Sequence, residues 1–150
     1  MKKADLLYVM NRGRGVTLRL LAQLPKDRGD FRPRDTMRSM MQQIIHIGAV
    51  EAGVTSGIFE NKWDAESVTP PIIDRLERAV EYIGEVRNKT LEWLANCDEA
   101  ELDRVIKTPR GREGTVASFL LVLVDHEAHH RGQLVVYARL CGKTLHDLYA

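Results

Sequence analysis

The segment His126-Glu127-Ala128-His129-His130-Arg131-Gly132-Gln133 concentrates the residues of this chain that could do chemistry. Residues four apart on a helix lie one above the other, so His126 and His130 would present two imidazoles to one point. Three of the five histidines fall in this segment, and His46 lies in a second helical stretch. Two ligands from one helix and a third from another make a three-nitrogen metal site with a position open for water or substrate. The competing reading makes them core or rim histidines held by ordinary hydrogen bonds. Two buried imidazoles on an apolar stripe would each need partners, and one shared ion satisfies both. His129 points about 100° away from His130 and is assigned to the surface or to support of a ligand.

The same letters fit two other metal signatures. His126-Glu127-Ala128-His129-His130 matches the HExxH of zinc proteases, in which the glutamate is the general base. The longer protease motif needs a histidine where Val136 stands, and after Gly142 only His146 offers an imidazole. No strand pattern suggests an edge to hold a peptide. Glu127-Ala128-His129-His130 also matches the ExxH of di-iron bundles, but the partner motif fails because Gln43 occupies the acidic position before His46.

The elements that must position these groups are read from apolar period and punctuation. A first helix is predicted over about residues 2–24, with Leu6, Leu7, Met10, Leu18, Leu21 and Leu24 on its apolar side. Gly13 and Gly15 weaken its middle, each by roughly 1 kcal/mol against alanine, and the Arg12-Gly13-Arg14-Gly15 stretch could bind an acidic group or, more simply, form a solvated helix face that needs no function. A second helix is predicted from Asp35 or Thr36, as N-cap, to Asn61. Thr69-Pro70-Pro71 reads as the start of a third, which runs to about Ala95 and includes Ile72, Leu76 and Ile83. The linker from Asn96 to Gly114 holds one short helical turn at Glu99 to Leu102 and an extended Arg104 to Thr108. Thr115 caps the last helix, which ends at Gly142. Its stripe of Phe119, Leu123, His126, His130, Leu134, Tyr137 and Cys141 should face the interior. The fold class is therefore all-α, a four-helix bundle formed by one domain over residues 1–150.

Composition permits such a site without requiring it. Hydrophobic content of 44%, charged content of 29% and a formal net charge of +1 are those of an ordinary globular chain, giving no reason to expect nucleic acid or a membrane surface. No signal peptide is read at the N-terminus. The longest apolar run, Val116 to Val124, is far shorter than the roughly 20 residues of a membrane span. Cys97 and Cys141 show no CxxC spacing and read as reduced thiols of a cytoplasmic protein.

The chain resembles the DinB/YfiT-like family of metalloenzymes. The resemblance is carried by Ile44-Ile45-His46-Ile47-Gly48-Ala49-Val50-Glu51 and by His126 to Gln133 with the following Leu134-Val135-Val136-Tyr137-Ala138-Arg139-Leu140-Cys141-Gly142. Arg32-Pro33 through Arg38-Ser39 and the helix order match as well, so it spans essentially the whole chain. It implies an up-down-down-up bundle, a divalent metal on His46, His126 and His130, and a homodimer. It also implies thiol-dependent S-transferases, isomerases that use low-molecular-weight thiols, or metal-dependent hydrolases.

Three neutral imidazoles leave a divalent ion its full charge, enough to lower the pKa of bound water to about 7 or to hold a thiol as thiolate. Zinc, nickel and iron all suit such ligands. The expected substrate is a small electrophile. Candidates for a catalytic acid or base are few. Glu127 is one, although it is more simply paired with Arg131 across one surface turn. Tyr137 is another, with packing as its plainer role. Gln42 and Gln43 could orient a ligand or a water, or lie on the surface. Cys141 is a turn too far to be a ligand. A competing class is a non-catalytic stress-response or dimerising scaffold protein whose metal is structural or vestigial. Haem is disfavoured, because two histidines on one helix cannot ligate opposite faces of a porphyrin.

Overall fold

The computed structural model describes residues 1–63 and 69–150. Four long helices, α1 (Lys3–Leu21), α2 (Met40–Glu60), α3 (Leu76–Asn96) and α4 (Val116–Leu140), account for most of it. A short 3-10 turn, Glu99–Asp103, and a two-stranded hairpin, β1 (Val105–Lys107) with β2 (Glu113–Thr115), join α3 to α4.

Two apolar clusters show which way each helix runs. One end of the bundle gathers Leu20, Leu21, Met40, Ile44, Leu76, Ile83, Leu134 and Tyr137. The other gathers Leu6, Met10, Ile58, Leu94, Val116, Leu120 and Leu123. The early residues of α1 and α4 lie in the second cluster and their late residues in the first, whereas α2 and α3 run the opposite way. The connection is up-down-down-up, with α2 and α3 running parallel to each other. Helix α1 packs on α4, and α2 packs on both α3 and α4. Gly48 permits the close approach of α2 to α3, since a Cβ there would stand 2.7 Å from Cε1 of Tyr82.

The helix boundaries follow local hydrogen bonding more closely than composition. Helix α2 starts at Ser39, not Asp35 or Thr36. Ser39 accepts from the backbone N–H of Gln42 while the Gln42 side chain accepts from the N–H of Ser39, so both ends of this capping box are satisfied. Gln42 is thereby committed to the cap. The third helix starts at Leu76, well after Thr69-Pro70-Pro71. A proline biases the residue before it away from helical backbone, and residues 69–74 are non-helical chain instead of a first turn. Ile72, expected on the apolar side, is fully exposed, and Ile73 is buried in its place. Leu18 is likewise exposed, while Leu20 fills the core.

The last helix begins where expected, with Thr115 accepting from the N–H of Ser118. Regular helix stops at Leu140, and Gly142 takes the left-handed φ of 79° that turns the chain. The tail returns to the end of α1, where Gln23, just beyond the helix, bonds the backbone of His146 and Arg19 donates to the carbonyl of Leu148. The hairpin corrects the expectation of a chain without strands. Each strand has only three residues, too few to leave an alternating pattern, and Ile106 alone is buried.

Candidate metal centre

His46 on α2 and His126 and His130 on α4 converge near the mid-height of the bundle. The Nε2 atoms of His46 and His126 are 3.2 Å apart, and those of His126 and His130 are 3.1 Å apart. His130 is buried, while His46 and His126 are partly exposed, so the cluster opens to one side. With Zn–N bonds of about 2.0–2.1 Å, nitrogens at two corners of a tetrahedron lie about 3.3 Å apart, which the observed separations match closely.

Protonation states agree with that fit. Burial, reinforced by the charge of Arg38 and by the other two rings, lowers His46 from 6.5 to about 4. Burial first, then His130, His129 and Arg38, lower His126 to about 4, with Glu127 partly opposing. His130 is lowered too, mainly by burial. All three rings are neutral near pH 7, the form that ligates metal.

A chain of hydrogen bonds fixes which nitrogen of His130 is free. Tyr137 Oη donates to the carbonyl of Arg38 at 3.1 Å, and a carbonyl can only accept. Tyr137 Oη therefore accepts from Nε2 of Gln43, leaving Gln43 Oε1 to accept from Nδ1 of His130 at 2.7 Å. Gln133 Oε1 lies 2.9 Å from the same nitrogen. The Nε2 lone pair of His130 is left facing the other two rings. Gln43, read from sequence as either an orienting group or a surface amide, is buried and orients the ring. His129 is exposed, and its Nε2 lies 3.0 Å from the Gln133 amide nitrogen.

Two sequence readings fail here. Glu127 is buried, not part of a surface pair with Arg131, whose guanidinium donates instead to the carbonyl of Gly13 and to Thr17. Arg14, read as solvated, is buried as well. Arg14 donates to Glu127 at 2.9 and 3.1 Å and to Glu51 at 2.9 Å. Arg87 donates twice to Glu51, at 2.7 and 3.0 Å, and once to Glu127 at 2.9 Å. The remaining donors reach the carbonyls of Ile83 and Met10, and Thr90 donates to Glu51. Each helix contributes one member of this charge-balanced quartet, which separates the two apolar clusters. Burial alone would raise the Glu127 carboxyl, but Arg14 and Arg87 hold it below its usual range.

The sequence reading missed Glu51 and Arg87. A signal was present: Arg14, Glu51, Arg87 and Glu127 each stand one turn beyond a core residue, namely Met10, Ile47, Ile83 and Leu123. Two acids and two bases at the same level of four apolar stripes can satisfy one another only by meeting. Tyr137, the other catalytic candidate, is buried with its hydroxyl engaged by Arg38 and Gln43. Cys141 ends α4 as a free thiol packed against the first apolar cluster, outside the histidine group.

An all-helical bundle with three neutral imidazoles directed at one point is a protein that could hold a metal ion. The sequence profile of the DinB superfamily matches residues 10–134, and the chain belongs to that family. It is 28% identical over 141 residues to the uncharacterized protein YjoA of Bacillus subtilis (strain 168), covering 87% of this chain and 85% of that one. The crystal structure of that DinB-like protein is similar at a TM-score of 0.78, with 26% identity, and 97% and 96% of the two chains covered. A DinB-like protein from Bacillus cereus ATCC 10987 shares the fold at a TM-score of 0.83 and 21% identity, with 98% and 99% covered. Among the described residues, no helix is long and apolar enough to cross a membrane.

Proposed function

We propose that this chain is a divalent-metal-dependent enzyme in which His46, His126 and His130 hold one ion, acting as a thiol-dependent S-transferase or a hydrolase on a small electrophile. The observation that carries the reading is the convergence of three Nε2 atoms, two pairs of them 3.1 and 3.2 Å apart, with the third ring's tautomer set by Gln43. A divalent ion in that place supplies Lewis acidity that brings water or a thiol to its nucleophilic form near neutral pH. The protein's own part is to keep the rings neutral, to hold His130 by its Nδ1–H, and to leave one side of the cluster open. Zinc, nickel or iron each suits an imidazole donor set. Structural zinc sites usually take four protein ligands, and this cluster gathers three.

One observation favours a second reading, a scaffold with a structural or vestigial metal. Glu127, the carboxylate next to the cluster, is held by two arginines and is not free to act as a base. Turnover distinguishes the two. Metal-loaded and chelated protein are compared for consumption of a small alkyl halide by cysteine and for hydrolysis of an activated ester. Metal-dependent turnover in either assay, lost in His130→Ala, supports the enzyme. Equal background rates in both forms favour the scaffold.

A further inference from the structure

Helices α2 and α3 touch at Gly48 and Tyr82, and again where Phe59 stacks on Trp93 with ring centroids 3.6 Å apart. Between these contacts lies a cavity of about 510 Å³, within the range of small-molecule sites. Ala52 and Val86 give it an apolar wall, and none of the three clustered histidines lines it. At 100° per residue, the lining positions Ala52, Ser56 and Phe59 are turned away from His46.

The cavity presents three polar groups that the fold leaves unused. Tyr82 is only 8% exposed, yet among the described residues its hydroxyl has no hydrogen-bond partner and is not sealed in the core. That oxygen therefore opens onto the cavity its side chain lines. Burial, with Glu51 and Glu85 adding to it, pushes the phenol up, so it stays protonated and can donate. Ser56 and Lys89 also line the cavity, and no hydrogen bond or ion pair among the described residues engages either side chain. The acids nearby are committed elsewhere: Glu85 accepts twice from Arg78, and Glu60 pairs with Lys62 at 2.7 Å. Thr55 and Thr90 turn their hydroxyl protons inward, to the backbone and the carboxylate of Glu51. Ser56 stands two turns beyond Gly48 and Lys89 two turns beyond Tyr82, so in parallel helices they share a level roughly 10 Å from that of Tyr82.

We propose that this cavity is a second binding site, separate from the histidine cluster, for a medium-chain carboxylate. Lys89 and Ser56 hold the acid, the chain lies along the apolar wall, and Tyr82 donates to an oxo or hydroxyl oxygen at the far end. An ammonium, a hydroxyl and a phenol with no free acid among them select an acceptor at each end of an apolar body.

The test follows tryptophan fluorescence in chelated protein, where no ion can hold the acid. Trp63→Phe leaves Trp93, in the cavity wall, as the reporter, and calorimetry on the unaltered protein should give the same order of affinities. Octanoate should bind roughly three- to tenfold more tightly than octan-1-ol, the order of one charge-assisted contact at an accessible site. 7-Oxo-octanoate should bind roughly two- to tenfold more tightly again. Lys89→Met should erase the first preference and Tyr82→Phe the second. Both variants should fold, because Lys89 is exposed and phenylalanine keeps the buried ring. The His126→Ala/His130→Ala variant should bind all three compounds as the unaltered protein does. Equal binding of octanoate and octan-1-ol, no gain from the oxo group, or a preference that survives its own variant would overturn the proposal. So would calorimetric binding without a Trp93 response, or binding lost in the histidine double variant, since either places the acid elsewhere.

Discussion

Gln43 Oε1 lies 2.7 Å from Nδ1 of His130, and the same Gln43 amide donates to Tyr137, so one buried side chain joins the candidate ligand to the fold. Groups that hold a ligating histidine typically change metal affinity 10–100-fold when removed. Gln43→Ala should weaken zinc binding by about that factor, with Gln133 retaining part of the orientation. Competition with a chromogenic chelator measures it. Unchanged affinity in a folded Gln43→Ala protein would show that the bond does not support the ligand.

The buried quartet should dominate the mutational sensitivity of the core. Removing one partner of a buried ion pair leaves an uncompensated charge and typically costs 3–5 kcal/mol. Arg14→Met leaves Glu127 a single arginine bond, from Arg87, and removes one donor from Glu51, and should lower stability by about that much in denaturant unfolding. A loss below about 1 kcal/mol, the range of exposed pairs, would contradict a buried, paired Arg14.

The fold was legible from the sequence because apolar period survives in all four helices, and the stripe from Phe119 to Tyr137 lies inside as read. Boundaries were less legible. Ser39 outcompeted Asp35 and Thr36 through a reciprocal bond with Gln42 that composition does not weight. The Thr69-Pro70-Pro71 signal is overridden, and the chain stays non-helical as far as Arg75. Of the site, His46, His126 and His130 were foreseen and are brought together. The partners of Glu127 were not, because the nearest cation in sequence, Arg131, lies on its own helix, whereas Arg14 and Arg87 arrive from two others. Pairing across the bundle depends on helix rotation, which one helix's period does not reveal.

Stability of the metal-free protein should depend on pH through the histidines. His46 and His126 titrate near 4 in the folded chain and near 6.5 when unfolded. Between those values the unfolded state binds more protons, so stability rises with pH. Their contribution is therefore complete above about 6.5, declines as pH falls toward 4, and levels off below. Thermal unfolding of chelated protein across this window should show the decline. Replacing both residues with Gln should make it shallower, with His130 supplying the remainder, and an unchanged slope in that variant would assign the effect to other groups.

Removing metal should leave the bundle standing. Two apolar clusters and the Arg14–Glu51–Arg87–Glu127 quartet tie the helices together without the three histidines. Chelation should lower the unfolding temperature by the linkage expected of a lost ligand while preserving the helical circular dichroism spectrum. A large loss of helical signal would mean that the ion, not the core, organises the fold.

The most direct test is elemental analysis of untagged protein beside His46→Ala and a His126→Ala/His130→Ala double variant. The unaltered protein should carry about one divalent metal per chain, the single-ion occupancy a three-imidazole site supports. Occupancy should fall sharply in His46→Ala and vanish in the double variant. Absence of metal even after loading with zinc and nickel, or metal retained in full by the folded double variant, would contradict a metal site on these three histidines.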